Sequence, residues 1–416
     1  MNQLRRWSFA PILQNFFNLG IFQASGIALQ LLVIPIITRK YGIATFGQVA
    51  LAASFAAFIA SVTNYGTSQT GIKEVAGNSD DTIFLSKLFY KILIFRLIAS
   101  AIFFPMLVLM LFLHPTLSIW VWMGAIPLLL AEIVNPLYFL IGKEKIQWIS
   151  WGNIGVKVLV LVLIILIPLH NQEAAWINGI LGIPIVIYYV FICLFIHHKE
   201  SLQVIIPSRE SLMQLGRENF YVMFNSTSVS LQQSVFLFTV AFYVSANTLG
   251  MYALIDKLLG VFRLLISSFS NAVYPQAARL FQQSPRDWFQ FKNFLQKMYA
   301  ILFVIMALAI FFGAKLIVLL ITKKDDPATE MFVQMFSLAP LLMALNANNV
   351  LTLLLEKRHR TLFIISMLIL AITFLISYLF VQFTDHQALG WYPVVIESCC
   401  LLIYMVFTNK KSLHAP

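Results

Sequence analysis

Charged residues are scarce in this 416-residue chain, since Asp, Glu, Lys and Arg make up 11% of it and hydrophobic residues make up 60%. A soluble protein is about one quarter charged, so this sequence cannot cover a water-facing surface of the usual kind. The formal net charge is +11, but the basic residues are spread along the chain between apolar stretches. We therefore expect an integral membrane protein that has no nucleic-acid partner.

The sequence also lacks the patterns that hold metals, disulfides or nucleotides. Its three cysteines, Cys193, Cys399 and Cys400, lie in apolar stretches without metal-ligand spacing, and its seven histidines are scattered over short loops. It has no glycine-rich phosphate loop, and no polar segment is long enough to fold as a nucleotide-binding domain. We expect no metal, no cofactor and no ATP-driven transport by this chain alone.

Twelve apolar stretches fill most of the chain. Each is close to the roughly 20 residues that a helix needs to cross about 30 Å of hydrocarbon. They are residues 15–37, 46–62, 89–112, 117–140, 148–169, 176–196, 220–244, 249–274, 299–321, 331–355, 362–383 and 389–406. The pattern predicts an all-α integral membrane protein with twelve transmembrane helices and both termini on the same side.

The polar connections between these stretches alternate in how much positive charge they carry. Nineteen Lys and Arg lie in one alternate set of connections and in the terminal segments, whereas the other set holds only Arg39, Lys40, Lys323 and Lys324. Basic residues mark the cytoplasmic side of a membrane protein. We therefore expect the first set, and with it both termini, in the cytoplasm.

The chain repeats itself weakly. Thr45-Phe46-Gly47 follows the first stretch and Thr248-Leu249-Gly250 follows the seventh stretch, an offset of 203 residues. The five residues from Pro127 recur in similar form from Pro340, and an asparagine stands eight residues after each proline. Several matches in register at equivalent stretches predict two six-helix halves.

We expect these halves to be an N-terminal lobe of residues 1–196 and a C-terminal lobe of residues 219–416, joined by a cytoplasmic linker of residues 197–218. Because six is an even number, both lobes enter the membrane in the same orientation. They should then be related by a pseudo-two-fold axis along the membrane normal, with the substrate path between them.

The charged residues clearly embedded within the apolar stretches are few: the bases Arg96, Lys157, Lys257 and Arg263, and the acids Glu132, Asp256 and Glu397. Lys315 lies near the outer end of the ninth stretch, where its long side chain can reach the membrane surface. Such groups are costly in a membrane, so they are usually paired or functional. With four bases against three acids, the interior is cationic by one charge even after full pairing. This balance favours an anionic substrate.

Lys157 and Arg263 are the main substrate-binding candidates, one from each predicted lobe. Lys157 lies nine residues into the fifth stretch, about 14 Å deep, with no acid in its own stretch. The further substrate-binding candidates are Arg39, Lys257, Gln23 and Asn225. The candidates for ion coupling or for salt bridges are Glu132, Asp256, Glu397 and Arg96.

A purely structural role is the alternative for each of these charges. Arg96 and Glu132 lie at similar depth in neighbouring stretches and could form an ion pair. Lys157 could neutralise Glu397, and Arg263 could neutralise Asp256, which lies seven residues earlier on the same helical face. The sequence leaves both interpretations open.

Several segments carry a family resemblance. Leu31 to Gly47, which reads LLVIPIITRKYGIATFG, resembles the first-helix signature of bacterial polysaccharide transporters. Other segments that resemble the family are Asn64-Tyr65-Gly66, Gly71 to Ala76, Leu137 to Trp148 and Asn271 to Pro275. The chain is thus similar to the Wzx-type O-antigen flippases of the multidrug/oligosaccharidyl-lipid/polysaccharide exporter superfamily. It departs from their pattern in having Asn64 for an acid, Thr67 for Phe and Ile141 for Gln.

The resemblance implies a function. A member of this family moves undecaprenyl-pyrophosphate-linked repeat units of O-antigen from the cytoplasmic to the periplasmic leaflet of the inner membrane by alternating access. Its implied partners are this lipid-linked oligosaccharide, membrane lipids, an O-antigen polymerase and a chain-length regulator. The implied protein is a transporter and not an enzyme.

Two other functions are weighed against this one. A cation-coupled multidrug antiporter of the same superfamily would need a net acidic cavity and a dominant carboxylate in the N-terminal lobe, for which Glu132 is the candidate. A membrane polymerase or acyltransferase would need a catalytic loop or a set of reactive groups, and the outward connections of this chain are too short to hold one.

Overall fold

The structure is a computed structural model that describes residues 9–113, 118–167 and 173–409. For residues 9–24 it describes the backbone alone, so the side chain of the candidate Gln23 lies outside the described part. Both chain ends, for which the charge pattern predicts a cytoplasmic location, also lie outside the described residues. Within the described ranges the chain is helical and contains no strand.

Sixteen α-helices make up the described chain. They are α1 (Phe9–Asn64), α2 (Thr67–Gly77), α3 (Thr82–Ala99), α4 (Phe103–Leu113), α5 (Ile119–Met123), α6 (Ile126–Ile133), α7 (Leu137–Gly142), α8 (Gln147–Leu166), α9 (Ile177–Lys199), α10 (Arg209–Tyr243), α11 (Ala246–Gln283), α12 (Pro285–Thr322), α13 (Pro327–Phe336), α14 (Ala339–Leu355), α15 (His359–Phe383) and α16 (Tyr392–Asn409). Short 3-10 turns precede α4, α9 and α16.

Nine segments of the described chain are long and apolar enough to cross a membrane. One of them, Ser25–Asn64, has 40 residues, which is about 60 Å of helix and enough for two crossings. It is divided at Gly42, whose φ of 85° is outside the helical region. The two remaining crossings are α10 and α11, whose 35 and 38 residues exceed the length of a span but include polar and charged side chains. The predicted twelve-helix membrane fold is confirmed.

Large apolar side chains on these helices face outward. Phe112, Phe312 and Phe383 are each about 80% exposed, at 82%, 79% and 81%. In water such a surface would aggregate, but in a bilayer it contacts lipid tails. The exposed apolar surface therefore agrees with the membrane assignment made from composition.

The predicted fourth crossing is built from three short helices, α5, α6 and α7. Proline lacks a backbone N–H and interrupts the helical pattern. Pro127 stands in the first turn of α6, and Pro136 immediately precedes α7. In lipid, the backbone groups freed by such breaks must find partners inside the protein, and the break between α6 and α7 finds them in a buried arginine.

The chain divides into two compact units. Unit 1 contains residues 1–32 and 52–230, and unit 2 contains residues 33–51 and 231–416. The lobes predicted from the internal repeat, with boundaries at residues 196 and 219, concern the symmetry of the helices and stay a prediction. The core of unit 1 includes Val75, Phe89, Tyr138, Phe139 and Ile192.

In unit 2, helices α1 and α11 cross at two glycines. A Cβ atom on Gly47 would lie 2.7 Å from the backbone nitrogen of Gly250, and a Cβ atom on Gly250 would overlap the carbonyl oxygen of Ile43. Small residues allow such close backbone approach between membrane helices. Gly47 and Gly250 end the two copies of the repeated tripeptide, so the copies meet each other here.

Candidate functional site

Arg96 on α3 is completely buried and holds the broken fourth crossing together. Its guanidinium donates to the backbone oxygens of Glu132 in α6, at 3.1 Å, and of Asn135 in the break between α6 and α7, at 2.9 Å. It also donates to the hydroxyls of Thr67 at 2.9 Å and Ser68 at 3.0 Å, in the first turn of α2. One side chain thus joins three helical segments of unit 1.

The carboxylate of Glu132 has different partners. Its Oε1 accepts a hydrogen bond from the side-chain amide of Asn64, and its Oε2 accepts one from the amide of Asn135 at 3.1 Å. The amide of Asn64 also donates to Ser68 Oγ at 2.7 Å. Arg96 and Glu132 are therefore in contact through the Glu132 backbone, and the amides of two asparagines orient the carboxylate.

A cavity of about 600 Å³ lies beside Glu132 within unit 1. Its volume is within the range of about 300–1,000 Å³ that is typical of small-molecule sites. Its lining is part polar and part apolar, and includes Glu132, Asn64, Asn135, Gln69, Ser226, Tyr189, Ala53, Ala57 and Ala60. Of the site candidates whose side chains the structure describes, Glu132 is the one that lines it.

Asp256, Lys257 and Arg263 form a charged group on α11 in unit 2. The carboxylate of Asp256 lies 3.6 Å from Arg263 Nη1 and 3.8 Å from Lys257 Nζ. The side chain of Asp256 is 11% exposed, whereas those of Lys257 and Arg263 are 25% and 28% exposed. Glu397 on α16 interacts electrostatically with Arg263. The pairing expected from the seven-residue spacing of Asp256 and Arg263 is present.

The other candidates are held separately. Lys157 on α8 donates to the hydroxyl of Ser25 at 2.8 Å in unit 1. Arg39 donates to the carbonyl oxygens of Leu320 and Ile321 at the end of α12 in unit 2, where a cation complements the helix dipole. Asn225 is exposed on α10.

The segment that resembles the family's loop after the fourth helix forms an ion cluster. Lys143 and Lys145, just beyond α7, lie 2.8 Å and 2.6 Å from the carboxylate of Glu200 at the end of α9. Burial alone would raise the pKa of the Glu200 carboxyl, but the hydrogen bonds from the two lysines outweigh it and hold this pKa below its usual value. The cluster fastens the α7–α8 connection to α9.

Most of the cavity lining was not predicted from the sequence. In the sequence, Asn64 stands out only as a departure from the family's acidic residue, and Asn135 only as part of the internal repeat. Their meeting at Glu132 depends on the break between α6 and α7, which turns Asn135 back towards the preceding helical turn. The spacing of Asn64 and Ser68, four residues apart, is the one local signal that could have found the polar group.

A family model described as polysaccharide biosynthesis protein matches residues 12–281, which is more than half of the chain. The chain belongs to this family. Among curated relatives, a protein of Escherichia coli (strain K12) with the provisional name O-antigen transporter is 18% identical over 266 residues. The alignment covers 63% of this chain and 64% of that protein, which is less than two thirds of the relative's length.

Solved structures of transporters share the fold of this family member. A multidrug resistance MATE family transporter of the MOP superfamily, in an inward-facing conformation, has a TM-score of 0.77 at 13% identity, covering 92% of this chain and 94% of its own. The lipid II flippase MurJ, in an inward closed conformation, has a TM-score of 0.70 at 14% identity, covering 96% and 87%. These likenesses establish the fold, and the family match over residues 12–281 confirms the resemblance to polysaccharide transporters seen in the sequence.

Proposed function

We propose that this chain is a flippase for lipid-linked polysaccharide units. It moves an undecaprenyl-pyrophosphate-linked O-antigen repeat unit from the cytoplasmic to the periplasmic leaflet of a bacterial inner membrane by alternating access, with both termini in the cytoplasm. The family match over residues 12–281 carries this proposal. The shared fold with a protein named as a lipid II flippase supports it.

In this proposal the embedded cations bind the pyrophosphate. Lys157 and Arg263 are its main ligands, Lys257, Arg39, Gln23 and Asn225 make further polar contacts, and the prenyl tail stays among membrane lipids. A potential that is negative inside favours outward movement of an anion by about 2.3 kcal/mol per charge per 100 mV. An O-antigen polymerase and a chain-length regulator would then act on the delivered unit.

Deletion of the gene tests the function directly. We expect a strain that lacks it, and lacks any paralogue, to lose its surface polymer and to accumulate lipid-linked repeat units on the cytoplasmic leaflet. Immunoblotting of the surface polysaccharide measures the loss of polymer. Labelling of each leaflet with a membrane-impermeant lectin measures where the lipid-linked units accumulate. Normal surface polymer in that strain would refute the proposal.

Arg263 offers a test at the level of one residue. Arg263→Ala should reduce polymer display roughly 10- to 100-fold at unchanged protein level, because a hydrogen bond to a charged group contributes about 1.5–3 kcal/mol. Arg263→Lys should retain more activity than Arg263→Ala, because it keeps the positive charge. It should be less active than the wild type, because a lysine cannot form the bidentate hydrogen bonds of a guanidinium. Display is measured by quantitative blotting against protein level.

Removal of the carboxylate as well separates substrate binding from pairing. If Arg263 binds the pyrophosphate, the double variant Asp256→Ala/Arg263→Ala should remain defective. Recovery of normal display by the double variant would show that Arg263 only neutralises Asp256, which lies 3.6 Å away. The corresponding test for Lys157 uses the double variant Lys157→Ala/Glu397→Ala.

One observation favours a second candidate function, a cation-coupled multidrug antiporter. Glu132 presents a carboxylate to a cavity of about 600 Å³ in unit 1, and a MATE family multidrug transporter shares the fold. If this were the function, cells that produce the chain would export ethidium faster than cells that produce Glu132→Gln. The flippase proposal expects equal export from both.

A further inference from the structure

The Glu132 carboxylate supplies hydrogen-bond acceptors to the cavity wall in unit 1. A carboxylate has about four lone-pair directions. The Glu132 carboxylate uses two of them for the amides of Asn64 and Asn135. The other two remain for a ligand in the cavity that Glu132 lines. Groups that donate hydrogen bonds to a carboxylate, such as hydroxyls, suit this wall.

The wall is fixed before a ligand arrives. Asn64 is held by Ser68, whose backbone N–H donates to Asn64 Oδ1 at 3.2 Å. Asn135 is held by the backbone N–H of Leu137, which donates to Asn135 Oδ1 at 3.1 Å. Arg96 holds the Ser68 hydroxyl in turn. Because both amides are already fixed, a ligand that binds Glu132 loses little additional side-chain entropy.

Charge at this site is arranged in two layers. The carboxylate of Glu132 lines the cavity, whereas Arg96 is completely buried and contacts the backbone behind it. The guanidinium offsets the negative charge of Glu132 without reaching the cavity lining. A neutral ligand therefore meets a nearly balanced site, but an anionic ligand meets the carboxylate first and is repelled at short range.

Another part of the cavity lining is apolar. Ala53, Ala57 and Ala60 lie on one face of α1 at helical spacing and all line the cavity. We call these three residues the alanine strip. Tyr189 from α9 adds an aromatic surface. A sugar ring has a hydroxyl-bearing edge and apolar C–H faces, so its two kinds of surface match a lining that includes both polar and apolar side chains.

We propose that this cavity is a glycan subsite for a neutral hexose ring. Adjacent hydroxyls of the ring donate to the Glu132 carboxylate, while a C–H face lies on the alanine strip. The inference rests on the proposed flippase function and specifies the sugar chemistry that the transporter accepts, namely neutral hydroxyl-rich residues in preference to uronic acids. The volume of about 600 Å³ suits a sugar, whereas a single ion would need a small cage of oxygens.

Binding of two matched sugars to the full-length protein in lipid nanodiscs tests the proposal. The probes are methyl α-D-glucopyranoside and the corresponding methyl glucuronide, compared by saturation-transfer difference NMR. We expect the wild-type protein to bind the neutral sugar about tenfold more tightly than the acid. Glu132→Gln has the same shape but donates where the two asparagines also donate, so it should weaken binding of the neutral sugar about tenfold.

A second variant tests the cavity without touching its hydrogen bonds. Ala57→Leu adds bulk to the alanine strip and should abolish binding of the neutral sugar. Ala371→Leu is the matched control, because Ala371 is an exposed alanine on α15 outside the cavity lining. It should bind like the wild type. If Glu132→Gln failed to fold, the Ala57→Leu and Ala371→Leu pair would still decide the question.

Three results would overturn the proposal: equal or tighter binding of the glucuronide, neutral-sugar binding that Ala57→Leu leaves intact, or Glu132-dependent binding of ethidium in place of the sugar. Failure of the glycan-subsite proposal is distinguishable from failure of the flippase function. If the deletion strain keeps its polymer, the flippase function fails whatever the sugar binding. If the deletion strain loses its polymer and the purified protein prefers the glucuronide, only the glycan subsite fails.

Discussion

An Arg96→Leu protein is expected to be destabilised by roughly 3 kcal/mol or more. The reason is the number of charged hydrogen bonds that one buried side chain makes, each of which contributes about 1.5–3 kcal/mol. Loss of the guanidinium removes the donors to the carbonyl oxygens of Glu132 and Asn135 at the break in the fourth crossing. In a membrane no water can replace them.

Thermal unfolding in detergent, followed by fluorescence-detected gel filtration, measures this effect. Arg217→Leu is the matched control, because Arg217 is an exposed arginine on α10 and its replacement should leave the melting temperature unchanged. Arg96→Lys should give an intermediate value, since a lysine keeps the charge but lacks the planar fork. An Arg96→Leu protein that melts like the wild type would show that the break does not depend on the guanidinium.

A Gly250→Ala protein is expected to lose roughly 3 kcal/mol of stability from a single added methyl group. The new Cβ would overlap the carbonyl oxygen of Ile43, which belongs to the backbone and cannot rotate away. Helices α1 and α11 would have to separate, and overpacking of this kind typically costs about 1–3 kcal/mol or more.

Gly313→Ala on α12 provides the control for this substitution. A Cβ atom there would meet nothing within 4 Å, so the change should be neutral or should stabilise the helix by up to about 1 kcal/mol. The two variants are compared by yield and by melting temperature. Equal melting temperatures for Gly250→Ala and Gly313→Ala would argue that the crossing tolerates a wider separation.

Hydropathy predicted the number of crossings because it measures the length of apolar sequence. It could not predict where helices continue through polar residues. The gap between the first two stretches was expected to be a loop, but α1 runs through it with a single non-helical residue, Gly42. The eighth and ninth stretches were expected to end at residue 274 and to begin at residue 299, whereas α11 and α12 continue to Gln283 and from Pro285.

In the candidate site, contacts within one helix could be predicted from the sequence, whereas contacts between distant segments could not. Asp256 and Arg263 could be paired from the sequence because residues seven apart share a helical face. The bond between Asn64 and Glu132 joins residues 68 positions apart, and only the packing of α1 against the broken fourth crossing brings them together. The cavity was therefore beyond sequence reasoning even though its central carboxylate was among the candidates.

The contact between Gly47 and Gly250 joins two parts of the chain that are synthesised at different times. A ribosome adds about 5–20 residues per second, so the second glycine follows the first, 203 positions earlier in the chain, after roughly 10–40 s. Throughout this interval the part of α1 near Gly47 lies in the membrane before its partner in unit 2 has been made. This part of α1 thus reaches its final packing only after α11 has been made, and a slow insertion step anywhere between the two helices prolongs its exposure.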